Sequence, residues 1–253
     1  MTDIALRPRS STELVDAAFQ VYRRDPMQFM LPTAAVYIPW LVVRLVFDLG
    51  VSGQLPSSGQ LIAMLALGSL VYTIVSGAVT VVASDVYLGR APDTARAFRA
   101  VLARAVPLLV ASIVTFVLVG VASVFFLFPA LYPLARFFAV RQAVMLEGAS
   151  APAALSRSSV LSVGVKRHVL NTVLLVLLLA LAVSAGVAMV LSLIPSRVVI
   201  NLIGTALNIV IYPFFGITET LLYYDVRIRK EGFDVEFLAN AAGVRAGESA
   251  AAS

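Results

Sequence analysis

The chain has no cysteine, one histidine and one tryptophan among its 253 residues. Without cysteine there is no disulfide, no thiolate metal site and no cysteine nucleophile. The lone histidine, His168, cannot form a metal site without cysteines or clustered carboxylates beside it. Charge is scarce too: Asp, Glu, Lys and Arg make up 13% of the chain, against roughly a quarter in an ordinary soluble domain. The stretch from Met1 to Arg7 contains no apolar run leading to a small-residue cleavage site, so a cleaved signal peptide is not expected.

Hydrophobic residues dominate, at 60% of the chain. They gather into six stretches, over about 27–47, 61–84, 106–128, 131–146, 168–193 and 198–224. Each is near the roughly 20 residues that a hydrocarbon layer of about 30 Å requires of a helix. The runs are continuous and do not alternate, so helices are expected and a β-barrel is not. Pro32 and Pro39 interrupt the first stretch, residues 128–133 read as a tight turn, and Pro195 separates the last two stretches.

The basic residues are partitioned. Of the 19 lysines and arginines, 15 lie before the first stretch or after the second, fourth and sixth. The other gaps hold only Arg197, while Arg44, Arg136 and Arg141 fall inside stretches. Basic residues flanking membrane spans remain cytoplasmic, so both termini are expected there. A net charge of +5 would suggest a nucleic-acid partner in a soluble protein. Here the orientation rule accounts for it, and anionic headgroups are the expected counter-charge.

Three segments on the basic side have amphipathic spacing, over about 11–24, 93–105 and 151–164. Ser10 and Glu13 form a capping-box pattern at the first, and Asp93 and Ser150 are candidate caps for the others. Such helices lie along a membrane interface. The expected fold is therefore all-α: a polytopic membrane domain over 1–237, with six transmembrane helices in three hairpins. Each hairpin follows a short interfacial amphipathic helix, and a disordered tail covers 238–253.

Two stretches carry a family resemblance. The first is Glu147-Gly148 followed by Ala154-Leu155, Arg157-Ser158, Leu161 and Gly164. The second is the run from Leu221 through Tyr223-Tyr224-Asp225-Val226-Arg227 and Glu231-Gly232-Phe233 to Asp234. Together with Leu6-Arg7-Pro8, Phe19 and Tyr22-Arg23-Arg24, they resemble the membrane domain of glycerophosphoryl diester phosphodiesterases, over about residues 6–237. The resemblance implies a helical domain in a bacterial cytoplasmic membrane. It does not imply the phosphodiesterase activity, which belongs to a separate barrel of about 250 residues with histidines and a metal cluster. This chain reads as the membrane part alone.

Several charged residues are candidates for function. Arg136 and Arg141 lie in the fourth stretch, and Glu219 lies in the sixth. Charges within a membrane face a partner or a wet cavity, or else fix helix packing. Arg141 and Glu219 each precede the end of their stretch by a similar distance and form a candidate pair; Arg136 has no obvious partner. Glu147 and Arg157 are a candidate latch across a helix start. Arg44 and Asp48 have the spacing of a surface pair. Lys166, Arg167 and His168, with Arg227, Arg229 and Lys230, are candidate contacts to lipid headgroups. Ala182, Ser184, Ala185, Gly186 and Ala188 form a small-residue face suited to close helix packing.

No cofactor and no catalytic constellation is expected. The leading expectation is a non-enzymatic membrane protein acting as scaffold, regulator or lipid binder. The alternative is a transporter or lipid-handling protein with a polar path near the fourth and sixth stretches; a headgroup enzyme ranks last. The expected partners are membrane lipids, through anionic headgroups at the cytoplasmic face, and a second membrane protein, with no nucleic acid.

Overall fold

A computed structural model describes residues 7–50, 57–124, 127–237 and 239. Most of the tail expected over 238–253 lies outside the described residues, as does Arg245. Every element among the described residues is a helix: α1 (Ser11–Arg24), α2 (Pro26–Gly50), α3 (Ser58–Tyr87), α4 (Thr94–Ala103), α5 (Ala105–Val124), α6 (Leu127–Arg136), α7 (Val140–Glu147), α8 (Ala151–Ser162), α9 (Lys166–Leu191) and α10 (Arg197–Glu231).

The helix starts follow from local chemistry. Ser10 accepts the Glu13 N–H and Glu13 accepts the Ser10 N–H, closing the capping box of α1. Ser57 and Gln60 do the same for α3, and Asp93 accepts two N–H groups at the start of α4. Gly148 and Gly232 end α7 and α10 in the left-handed region, at φ of 70° and 64°, where a side chain would be strained.

Five helices, α2, α3, α5, α9 and α10, are long and apolar enough to cross a membrane. The protein is a multi-pass membrane protein. Residues such as Ile62, Leu65, Phe116, Leu178 and Met189 are more than 60% exposed, which suits contact with lipid rather than water.

The fourth stretch is not the single helix expected over 131–146. It is α6 and α7, separated by a break at 137–139. The physical cause is Ser158 on α8, whose hydroxyl donates to the Arg136 carbonyl at 3.0 Å and accepts the Ala139 N–H at 3.0 Å. Backbone groups that would have bonded along a continuous helix are satisfied sideways instead. The turn expected over 128–133 is also corrected, because α6 already begins at Leu127. Proline in a first helical turn forfeits no hydrogen bond, so Pro129 does not oppose the helix.

The long helices form two groups. In one, α2, α3 and α10 pack on one another; in the other, α6 packs between α5 and α9. Close approach holds the first group together: a Cβ at Gly216 on α10 would lie 2.7 Å from Val79 Cγ1 on α3. Lipid tails are as apolar as leucine, so such close packing, not hydrophobicity, holds membrane helices together.

Helices α3 and α10, of 30 and 35 residues, are about 45 and 52 Å long. Both exceed a hydrocarbon layer of about 30 Å. Their buried residues concentrate toward one end, from Thr73 to Tyr87 on α3 and from Pro213 to Ile228 on α10. There α1, α4, α7 and α8 wrap them. This end, which carries Arg9, Asp85, His168 and Arg229, is called the basic end below.

Two of the three amphipathic segments differ from expectation in placement. Helix α1 does not lie flat across the end of the bundle. The Arg9 N–H bonds Asp225 at 2.6 Å and the Tyr22 hydroxyl bonds the Val210 carbonyl at 2.8 Å, points about 22 Å apart along α10. Helix α1 therefore runs obliquely along α10, with Leu14, Ala17, Ala18 and Val21 buried. Helix α8 buries a face of small residues, Ala151, Ala154, Ser158 and Ser162 with Leu161, while Val160 and Val163 are exposed. Its shape follows its task of reaching the break between α6 and α7.

Candidate functional site

Two cavities lie between helices of the two groups. The first, about 560 Å³, lies between α3, α5 and α6, with walls that include Leu70, Leu109, Ile113, Phe116 and Phe137. The second, about 470 Å³, lies between α9 and α10, with walls that include Val176, Ala180, Val187, Ile211 and Phe215. Both volumes suit a small-molecule site, roughly 300–1,000 Å³. The small-residue face of α9, expected to pack closely, is exposed at Ala182, Ser184, Ala185, Gly186 and Ala188, and Ser184 and Ala188 line the second cavity. A Cβ at Gly186 or Gly204 would meet nothing within 4 Å.

The cavities meet at one polar point. Tyr72, Val173 and Glu219 line both, and Arg141 lines the first. The Arg141 Nη2 donates to Glu219 Oε2 at 2.5 Å. The Tyr72 hydroxyl donates to Glu219 Oε1 at 3.3 Å, and the Arg141 guanidinium stacks over the Tyr72 ring, 5.0 Å from its centroid. Side-chain exposures of 22% and 26% for Arg141 and Glu219 leave both partners facing the cleft. Beyond them toward the basic end, the seam is filled by Val79, Leu221, Leu222 and Tyr223.

Besides Tyr72, four serine and threonine hydroxyls line the first cavity: Ser69, Thr73, Ser112 and Thr115. Three of them donate to carbonyls of their own helices, Ser69 to Ala66, Thr73 to Ser69 and Thr115 to Ala111. The Ser112 Oγ is buried without a hydrogen-bond partner among the described residues. Tyr72, Tyr212 and Phe215 line the second cavity, and the Tyr212 ring contacts those of Tyr37, Tyr72 and Phe215, with centroids 5.4 to 6.4 Å apart.

Arg136 stays apart from this centre. Its Nη1 donates to the Tyr132 hydroxyl at 2.8 Å, and its guanidinium lies over the Tyr132 and Phe137 rings. Lys166 also approaches this tyrosine, 4.7 Å from its ring centroid. Arg167 is exposed.

The other expected headgroup contacts hold the basic end together. The Asp225 carboxylate accepts from the Arg9 N–H, from Arg229 Nε at 2.7 Å, and lies 2.8 Å from His168 Nε2. Lys230 Nζ donates to the Val160 and Val163 carbonyls, capping the end of α8. Arg227 donates to Glu231 at 2.9 Å and stacks over Phe233. Asp85 is buried and pairs with Arg90 and Arg96.

Glu147 and Arg157 meet as a two-pronged pair, with Nε to Oε2 and Nη2 to Oε1 both at 2.9 Å. Arg157 also holds Glu231, through Nη2 to Oε2 at 2.8 Å, and the Tyr223 hydroxyl donates to Glu147 at 2.6 Å. The two carboxylates hold the Arg157 guanidinium well above its usual range. Arg44 and Asp48 do not form the surface pair expected of them. Asp48 instead accepts a hydrogen bond from Asn201 across α2 and α10, which fixes the far end of that helix pair.

Sequence reasoning missed Tyr72, Ser158 and Glu231. Tyr72 left a signal, a hydroxyl within the aliphatic run Leu70-Val71-Tyr72-Thr73-Ile74. Ser158 and Glu231 sit inside the two family-like stretches, where a role could be suspected but a partner could not be assigned. Among the described residues, no group of three or more His, Cys, Asp or Glu side chains is placed to hold a metal ion. No protein-family model, curated protein or solved structure matches the chain.

Proposed function

We propose that this chain is a non-enzymatic lipid-binding protein of a bacterial cytoplasmic membrane, and that the cleft between its helix groups holds the lipid. One observation carries the reading: two apolar cavities converge on a single charged pair. An amphiphile needs that combination, apolar walls for its chains and a polar contact where they join. The rival reading, transport along a polar path, has less support. The cavity walls are apolar, and packed side chains fill the seam between Glu219 and the basic end.

The proposal includes six crossings with both termini in the cytoplasm. Support comes from Arg9 meeting Asp225 and Arg229, which brings the start of α1 beside the end of α10. Helices α6 and α7, of 10 and 8 residues, measure about 15 and 12 Å and together serve as the broken return crossing. The proposal also places the chain beside the glycerophosphoryl diester phosphodiesterase membrane domain. In support, residues of both family-like stretches, Glu147, Arg157, Tyr223 and Glu231, converge on one network.

The test is lipid retention. The full chain, purified in mild detergent, is analysed by native mass spectrometry beside Ile113→Trp and Ala180→Trp, which fill the first and second cavities. We expect stoichiometric lipid on the parent and several-fold less on both variants. Equal retention by all three would mean that lipid binds only around the outside, and the reading would fail.

A further inference from the structure

From the charges, rings and cavities of the cleft, we infer that its occupant is a zwitterionic, two-chain phospholipid carrying an ammonium group, drawn from the leaflet at the basic end. The inference rests on the lipid-binding reading above and names the class of lipid.

Charge selects the headgroup. Among the described residues, Arg141 and Glu219 are the only Asp, Glu, Lys or Arg residues lining either cavity, so the cleft is formally neutral but holds one charge of each sign. A purely anionic headgroup that engaged Arg141 would strand Glu219 in partly buried surroundings. A purely cationic one would strand Arg141. Breaking a pair to leave one charge alone is costly in a low-dielectric site. A zwitterion avoids that loss, because its phosphate takes the guanidinium while its ammonium takes the carboxylate. An uncharged headgroup gains nothing from either charge.

The surroundings of the two charges differ in the same sense. Both charges and Tyr72 line the first cavity, but of the two charges Glu219 lines the second, beside Tyr212 and Phe215, and aromatic faces beside a carboxylate suit an ammonium group. Arg141 shares the first cavity with Ser112, whose buried hydroxyl has no partner among the described residues. A guanidinium and a spare hydroxyl suit a phosphate.

The cavities select two chains. From the charged point, both extend toward the far end of the bundle. The second follows α10 from Glu219 back to Gly204, about 22 Å. The first follows α5 from Leu109 to Val119, about 15 Å. Half of a hydrocarbon layer is about 15 Å. A lipid whose headgroup rests at Arg141 and Glu219 thus places one chain in each cavity, pointing toward the midplane as its leaflet requires.

The experiment offers the delipidated full chain an equimolar mixture of phosphatidylethanolamine, phosphatidylglycerol and diacylglycerol with identical acyl chains. A second mixture pairs phosphatidylethanolamine with its single-chain lyso form. Bound species are resolved by native mass spectrometry. We expect phosphatidylethanolamine to exceed each competitor by about tenfold, a modest difference in binding free energy. Tyr212→Leu, which leaves the ion pair in place, should shrink the preference over phosphatidylglycerol several-fold without abolishing lipid retention. The charge-swapped variant, Arg141→Glu with Glu219→Arg, should keep the preference over diacylglycerol. Equal binding of all three headgroups, or a preference for phosphatidylglycerol, overturns the headgroup inference and leaves lipid binding standing. Equal binding of the lyso form overturns the two-chain assignment. No bound lipid of any class overturns the underlying reading as well.

Discussion

Ser158 and Arg136, on different helices, meet at the one break in the return crossing: the serine hydroxyl donates to the arginine carbonyl at 3.0 Å. The same oxygen accepts the Ala139 N–H, and the Ser158 side chain is fully buried. Replacing Ser158 with alanine leaves a buried carbonyl and a buried N–H without that partner. An unmet buried group costs roughly 1–3 kcal/mol, so Ser158→Ala should lower the unfolding temperature in detergent clearly. Ser156→Ala, at an exposed position on the same helix, should leave it unchanged. Equal effects would show that the break does not depend on Ser158.

The Arg141–Glu219 pair sits where removing one partner leaves a charge at an apolar cleft. Breaking a fully buried pair costs about 3–5 kcal/mol, and the exposure of roughly a quarter on each side chain should reduce that. Arg141→Leu and Glu219→Leu should each destabilise the protein, and the double variant should recover part of the loss. The cycle isolates the coupling; strictly additive losses would show that the contact contributes nothing.

Arg157 spans two carboxylates with one planar group. Lysine keeps the charge but cannot grip Glu147 and Glu231 with paired N–H groups. Arg157→Lys should cost about 1 kcal/mol, a value typical of accessible pairs, and the cost should shrink in high salt. Glu231→Gln should cost at least as much as Glu147→Gln, because Glu231 pairs with Arg227 as well as Arg157, whereas the further partner of Glu147 is the uncharged Tyr223 hydroxyl. Thermal unfolding at two ionic strengths checks both expectations.

The first turn of α1 should be acid-sensitive. The Ser10 backbone N–H, then the Arg7 side chain, hold the Glu13 carboxyl down at about 2, against an ordinary value of 4.5. A lowered carboxyl adds stability that is fully present above its unfolded value and is lost as pH falls toward the folded one. Amide protection in α1, corrected for intrinsic exchange, should hold constant above pH 4.5 and fall between 4.5 and about 2. Glu13→Gln should remove the pH dependence over that window.

Topology can be read with cysteines introduced into this cysteine-free chain. Ser58 and Ser156 are both exposed and stand on opposite sides of the proposed arrangement. In intact cells an impermeant thiol reagent should label Ser58→Cys, and should reach Ser156→Cys only after permeabilisation. The reverse pattern would invert the proposed orientation.

Five of the six expected spans coincide with long helices, whereas the fourth divides into α6 and α7. Span 27–47 corresponds to Pro26–Gly50, and 168–193 to Lys166–Leu191. Caps at Ser10 and Asp93 were legible because a cap is made by residues within one turn of each other. The proximity of Arg141 and Glu219 was anticipated from matched depths, since rise per residue is constant along a helix. The break after Arg136 was not, because its cause is a serine 22 residues away. The latch was half legible: Glu147 and Arg157 lie close in sequence, whereas Glu231 joins them from 74 residues beyond Arg157.

The sequence by itself determined that apolar helices cross a membrane and that basic residues gather at one end, because hydropathy and charge are properties of each segment alone. The cleft was decided only by the tertiary structure. Apolar residues serve equally against lipid and against another helix, so hydropathy does not reveal which face of α9 packs and which stands open. Only the mutual rotation of the helices, fixed by contacts such as Gly216 on Val79 and Asp48 on Asn201, turns Tyr72, Arg141 and Glu219 toward one point between two cavities.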